Sequence, residues 1–200
     1  MDSPSNEHSS NEQEPSTAIT RVIMDLVSKV PETREPVSEN PTGRAREITR
    51  AAAVKAAAVS GAMTLTPGPL GLVTVLPDLY AVWRIQAQMV ADIAASFGKT
   101  SDLTDKQMLY CLFRHAAAQL FRDLVTRVGE RFLFQRSSLR LIQSIAQRLG
   151  VHISQRVIVQ SVSRWLPAIG VVGMATYAAW DTRSVGQTAI ELFSSSFHDG

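Results

Sequence analysis

One cysteine in 200 residues, Cys111, provides neither an internal disulfide nor a multi-cysteine zinc site, so nothing in the chain requires an oxidising compartment. Aromatic residues make up only 6% of the chain, and no segment alternates apolar and polar residues as a half-buried strand does. Gly61, Gly68, Gly71, Gly170 and Gly173 match neither a P-loop nor a dinucleotide fingerprint. His8, His152 and His198 are scattered without metal-ligand spacing, so no metal and no cofactor are expected. The opening MDSPSNEHSSNEQEPS has neither a basic nor an apolar signal region, which argues against an ordinary signal peptide and makes the cytoplasm the expected location. Nucleic acid is not an expected partner, because the basic residues lack interleaved aromatics, a zinc module or a recognition helix.

What remains is helix-forming. A hydrophobic fraction of 45% against 19% charged residues is close to the globular norm and is rich in Ala, Leu and Val, which predicts an all-α fold in one multi-helix domain. The division is expected near residue 43. Residues 1–16 are too polar to offset the entropy of ordering and are expected to be disordered. Over 17–30, Ile19, Val22, Ile23, Leu26, Val27 and Val30 share one helical face. Pro31, Pro36, Pro41 and Gly43 then give 31–43 a linker composition, so that 1–43 reads as an acidic leader and 44–197 as the domain.

Within the domain, the segment from Arg44 reads as a helix ending at the turn Pro67-Gly68-Pro69. A second helix has its regular part expected from Pro77 to Gly98, with Asp78 suited to a first-turn carboxylate. The two form an apolar helical hairpin over 56–83. A third helix is expected from Thr104, with Gln107 completing a capping box and an apolar stripe running through Leu109, Leu112, Phe113, Ala117 and Phe121 to Val128. Further helices are expected at 136–149, stopping at Gly150, at 154–166, and from Pro167 onward, with Gly170 and Gly173 permitting close packing.

Residues 56–77 and 165–180 carry no charge. The first run exceeds the ~18–20 residues of a spanning helix, but its Pro-Gly-Pro bend would leave backbone groups unpaired in lipid. These segments are therefore either core helices or shallow lipid-contacting elements.

The stretch LPDLYAVWRIQAQMVADIAASFG within Gly71–Gly98 resembles the signature of the EcsC family. So does RWLPAIGVVGMATYAAWDTRSVGQTAIELF, similar to that family's closing segment. Phe97 stands where the family usually has tyrosine, and Tyr177 lies near a usual asparagine. Segment 76–98 also resembles a helical domain of unknown function attached to some bacterial GTPases. The EcsC resemblance implies a bacterial helical domain, sometimes encoded beside transporter components, with no catalytic residues to carry over.

Cys111 and His115, four residues apart on one helix, offer a Cys–His pair, but no orienting acid is evident beside them in the sequence and no catalytic residue is assigned. Arg84, Asp92 and Asp181 lie beside apolar segments, either as surface residues or as a buried polar cluster. Arginines run from Arg114 to Arg164, and Arg127, Arg131, Arg136 and Arg140 are the candidate contacts for anionic lipid. The expectation is a non-enzymatic, membrane-associated accessory or interaction protein of the bacterial cytoplasm, partnered by an anionic membrane surface or a membrane protein. A soluble enzyme with a dispersed site and a membrane-inserting effector are the alternatives.

Overall fold

The computed structural model describes residues 7–63, 71–118, 121–122, 139–161 and 167–195. Among these residues there are six α-helices and no strand: α1 (Glu7–Ser28), α2 (Pro41–Met63), α3 (Gly71–Ser96), α4 (Asp105–Phe113), α5 (Leu139–Ser161) and α6 (Pro167–Ser195). The fold is all-α.

The apolar face read over 17–30 belongs to α1, which begins at Glu7. Ile19, Ile23, Leu26 and Val27 are buried in the same cluster as Met89, Met108, Leu149 and Phe193. The boundary at residue 43 therefore does not separate this helix from the domain, because the helix supplies one wall of the core. The segment after α1 is extended and tied down along α3. Thr33 Oγ1 donates to Asp92 Oδ1 at 2.7 Å, and the Ser38 amide donates to the Ser96 carbonyl at 3.0 Å. Asn40 caps α2 by accepting from the Gly43 amide at 3.0 Å, and Pro41 takes the first helical position, where a missing N–H costs nothing.

Helix α3 lies at the centre, touching α1, α2, α4 and α6. It starts at Gly71 and carries Pro77 inside it, so Pro77 and Asp78 are not in its first turn as expected. Pro77 is exposed. At the other end the chain leaves α3 through a Schellman cap. Gly98 has φ +72°, its amide bonds to Ala95 O and the Lys99 amide bonds to Ala94 O, both at 2.8 Å.

Helix α4 opens with the expected capping box, in which Thr104 Oγ1 accepts from the Gln107 amide and Gln107 Oε1 accepts from the Thr104 amide. Its regular part stops at Phe113, Ala117 N to Phe113 O and Phe121 N to Ala117 O prolong its direction, and the expected continuation over 123–128 lies outside the described residues. The stripe residues Leu109, Leu112, Phe113, Ala117 and Phe121 are buried, with Phe113 packed edge-to-face on Trp83 at 5.1 Å.

Gly150 does not end a helix. Helix α5 runs through it unbroken, replacing the two helices expected at 136–149 and 154–166. The glycine serves a crossing with α1, since a Cβ there would meet Thr20 Oγ1 and lie 2.7 Å from the Ser16 carbonyl oxygen. Gly186 serves α6 in the same way against Thr49 of α2, where a Cβ would fall 2.5 Å from Thr49 Cγ2. Gly173, by contrast, faces open space, so the packing role expected for it falls to Gly186. The Pro67-Gly68-Pro69 turn lies outside the described residues.

Candidate functional site

Two features stand out from an otherwise ordinary helical core: an end at which α2, α3 and α6 are almost uncharged and a buried polar cluster just below it. The uncharged end follows from helix direction. Thr49 of α2 meets Gly186 of α6, and Ala56 of α2 packs with Ala178 of α6 and Val82 of α3. Contact positions rise on α2 as they fall on α6, so these two helices are antiparallel. The C-terminal end of α2, the N-terminal end of α3 and the N-terminal end of α6 consequently share one end of the bundle. Residues 56–63, 71–77 and 167–180 hold no charged side chain, and Asp78 is the single charge between 71 and 83. The two charge-free runs, more than 85 residues apart in the sequence, are thus neighbours.

On α6 this end is not covered. Val172 is 68% exposed, Trp180 57% and Tyr177 44%, with Tyr177 and Trp180 one turn apart as neighbours. Isolated exposed apolar residues are ordinary, but here a valine, a tyrosine and a tryptophan lie within the charge-free first half of one helix. Among the described residues, no helix is long and apolar enough to cross a membrane.

Directly below, Asp181 of α6 is buried and joins α6 to α3 and to the segment following α4. His115 Nε2 lies 2.5 Å from Asp181 Oδ1, and Gln86 Nε2 donates to Asp181 Oδ2 at 2.6 Å and to Thr182 Oγ1 at 3.2 Å. Gln86 and Thr182 are fully buried, and the ring of His115 is edge-on to Trp180 at 6.2 Å. Gln86 Oε1 and His115 Nδ1 are buried and have no hydrogen-bond partner among the described residues. The cluster is mostly buried, with the His115 and Asp181 side chains 14% and 12% exposed, and it does not line either of two grooves flanking Gln88, one of about 310 Å³ between α2 and α3 and one of about 350 Å³ between α1 and α3.

The remaining sequence candidates separate. Arg84, Asp92 and Asp181 do not form a cluster: Arg84 is exposed, Asp92 holds Thr33 and Gln88, and only Asp181 is in the buried group. Cys111 is fully buried, and desolvation pushes its thiol well above the usual range, which disfavours the thiolate a Cys–His pair would need. His115 instead faces Asp181, a partnership 66 residues long-range that local spacing could not reveal. Asp181 follows Trp180 at the end of an apolar run, and that placement was the only sequence signal for it. Arg127, Arg131 and Arg136 lie outside the described residues, while Arg140 is exposed on α5. Arg114 is committed to Glu191 at 2.8 Å, which raises its affinity for the proton. No group of three or more metal-binding side chains occurs among the described residues.

Comparison with known proteins gives no family: no family model, no curated protein and no solved structure matches the chain.

Proposed function

We propose that this protein is a non-enzymatic accessory or interaction module that rests on the cytoplasmic face of a membrane, embedding its uncharged end shallowly without spanning. One observation carries the reading: the two charge-free segments meet at one end of the bundle, where Val172, Tyr177 and Trp180 are exposed. Aromatic and aliphatic side chains of this kind are retained at the boundary between headgroups and acyl chains, and the depth of retention scales with the apolar area buried. The EcsC-like motifs are the ground for placing it in a bacterium beside a transporter system. Arg127, Arg131, Arg136 and Arg140 remain the candidates for long-range attraction to anionic lipid.

The test is co-sedimentation of the full chain with lipid vesicles, comparing wild type with Val172→Asp. Because Val172 is exposed, the substitution should leave the helical circular dichroism and the thermal unfolding unchanged while reducing vesicle retention at every salt concentration. A wild-type chain that stays in the supernatant with all vesicles would overturn the reading. The soluble-enzyme alternative draws on the His115–Asp181 pair, whose polar atoms converge but are mostly buried.

A further inference from the structure

The charges bordering the uncharged end are not distributed at random. Ala56, Val82 and Ala178 pack together and so mark one level on α2, α3 and α6. Moving from that level away from the uncharged end, the first exposed charge on each helix is a cation: Lys55 on α2, Arg84 on α3 and Arg183 on α6. With a rise of ~1.5 Å per residue, they lie about 1.5, 3 and 7.5 Å beyond it. Tyr80, Tyr177 and Trp180 lie within about 3 Å of the same level on either side.

The acids are placed differently. Asp181 is the one carboxylate of these three helices inside the cationic band, and it is buried against His115 and Gln86. Away from the uncharged end the next acids, Glu47, Asp92 and Glu191, come only about 13–20 Å beyond the marked level, while toward that end α3 carries one acid, Asp78, about 6 Å from it. Where α1 reaches this region, Asp25 is held by Lys29 at 2.5 Å, and the pair adds no net charge. Lys55, Arg84 and Arg183 form no salt bridge among the described residues, a state they share with Arg46 and Arg50 farther along α2, whereas Arg44 and Arg114 are paired with Glu35, Glu47 and Glu191. The Arg84 guanidinium lies 5.9 Å from the Tyr80 ring centroid, joining cation to aromatic belt.

We infer that Lys55, Arg84 and Arg183 form a collar that binds the phosphates of anionic phospholipids when the uncharged end enters a bilayer. This rests on the membrane reading above and adds a lipid preference to it, carried by residues other than the arginine series. An apolar tip, a ring of tyrosine and tryptophan, and then unpaired cations follow the order of acyl chain, interface and phosphate. Long basic side chains can lay their stems on apolar surface while their charged ends reach the headgroups.

The experiment measures partition of the full chain onto phosphatidylcholine vesicles with and without phosphatidylglycerol, for wild type, the triple variant Lys55→Gln/Arg84→Gln/Arg183→Gln, and Arg140→Gln. Each collar cation should contribute roughly fivefold to anionic preference at low ionic strength, so the triple variant should lose about 100-fold, with the difference shrinking above about 0.15 M salt. Its binding to pure phosphatidylcholine should match wild type, which separates the collar from the apolar contact. An unchanged anionic preference in the triple variant overturns the collar while leaving the membrane reading standing. A loss as large in Arg140→Gln alone also overturns it, because attraction would then lie on α5. Wild type bound to neither vesicle removes the membrane reading itself.

Discussion

His115 and Asp181 sit 2.5 Å apart across the junction of the segment following α4 with α6, and the second carboxylate oxygen of Asp181 accepts from Gln86 of α3. One carboxylate thus joins three parts of the fold at the base of the uncharged end. Such an arrangement costs desolvation when it forms and costs more when half of it is removed.

Replacing Asp181 with Ala strands the donors of His115 and Gln86 in the interior and should lower stability by about 2–4 kcal/mol. The double replacement Asp181→Leu/His115→Phe removes both partners and should cost less than the sum of the singles. Urea unfolding with an unchanged slope checks this; additive costs would mean that the pair is not coupled.

Helix α1 should behave as core rather than as a detachable leader. Ile23 is fully buried, so Ile23→Ala should cost about 2–5 kcal/mol. Thermal unfolding within a degree or two of wild type would return α1 to the status of an appendage.

The two glycine positions give opposite expectations. Gly150→Ala must displace Thr20 or the Ser16 carbonyl, and overpacking of this kind should cost about 1–3 kcal/mol. Gly173→Ala meets nothing within 4 Å and removes backbone freedom from an unfolded chain, so it should stabilise by about 0.4–1 kcal/mol. A single comparison of unfolding midpoints tests both signs.

These glycines also show what the sequence could and could not disclose. A glycine after a periodic run reads as a helix stop, yet Gly150 is there because α1 crosses α5 at that point, and only the partner helix makes that visible. The Thr104/Gln107 capping box and the buried stripe of α4 were legible, since both are encoded within one or two turns. The apolar face of α1 was legible too, but the Pro-rich segment after it disguised its attachment. Proline composition describes the unfolded chain, while Thr33 and Ser38 supply bonds to α3 that composition does not contain. The two charge-free segments were each evident; their meeting was not, because it depends on α2 and α6 running antiparallel. The partnership of His115 with Asp181 was hidden for the same reason.

Acid should loosen the segment between α1 and α2. Arg44 bonds Glu35 at 2.7 Å and holds its carboxyl below the usual range. A folded-state pKa below the unfolded value stabilises the native state above the unfolded pKa of ~4.3, and that contribution is lost as pH falls through the folded value. Glu35→Gln should therefore be less stable than wild type near neutrality and approach it in acid, by a small margin because Arg44 is solvent-exposed. Thermal midpoints measured across that pH range would show parallel curves if the pair contributes nothing.

The orientation at a membrane can be read with a fluorophore. Cys111 is fully buried and its thiol is pushed toward the protonated form, so it should react with a thiol-directed dye only on unfolding, which allows single introduced cysteines to be labelled. Val172 and Gln187 are both exposed on α6, separated by 15 residues or about 22 Å along the helix, with the aromatic and cationic levels between them. An environment-sensitive dye on Val172→Cys should shift to the blue and gain intensity when vesicles are added, because that position enters the acyl region. The same dye on Gln187→Cys should remain solvent-like, because the helix has by then passed the level of Arg183. Equal responses at both sites would mean that α6 lies flat on the surface, and no response at either would leave the uncharged end to some contact other than lipid.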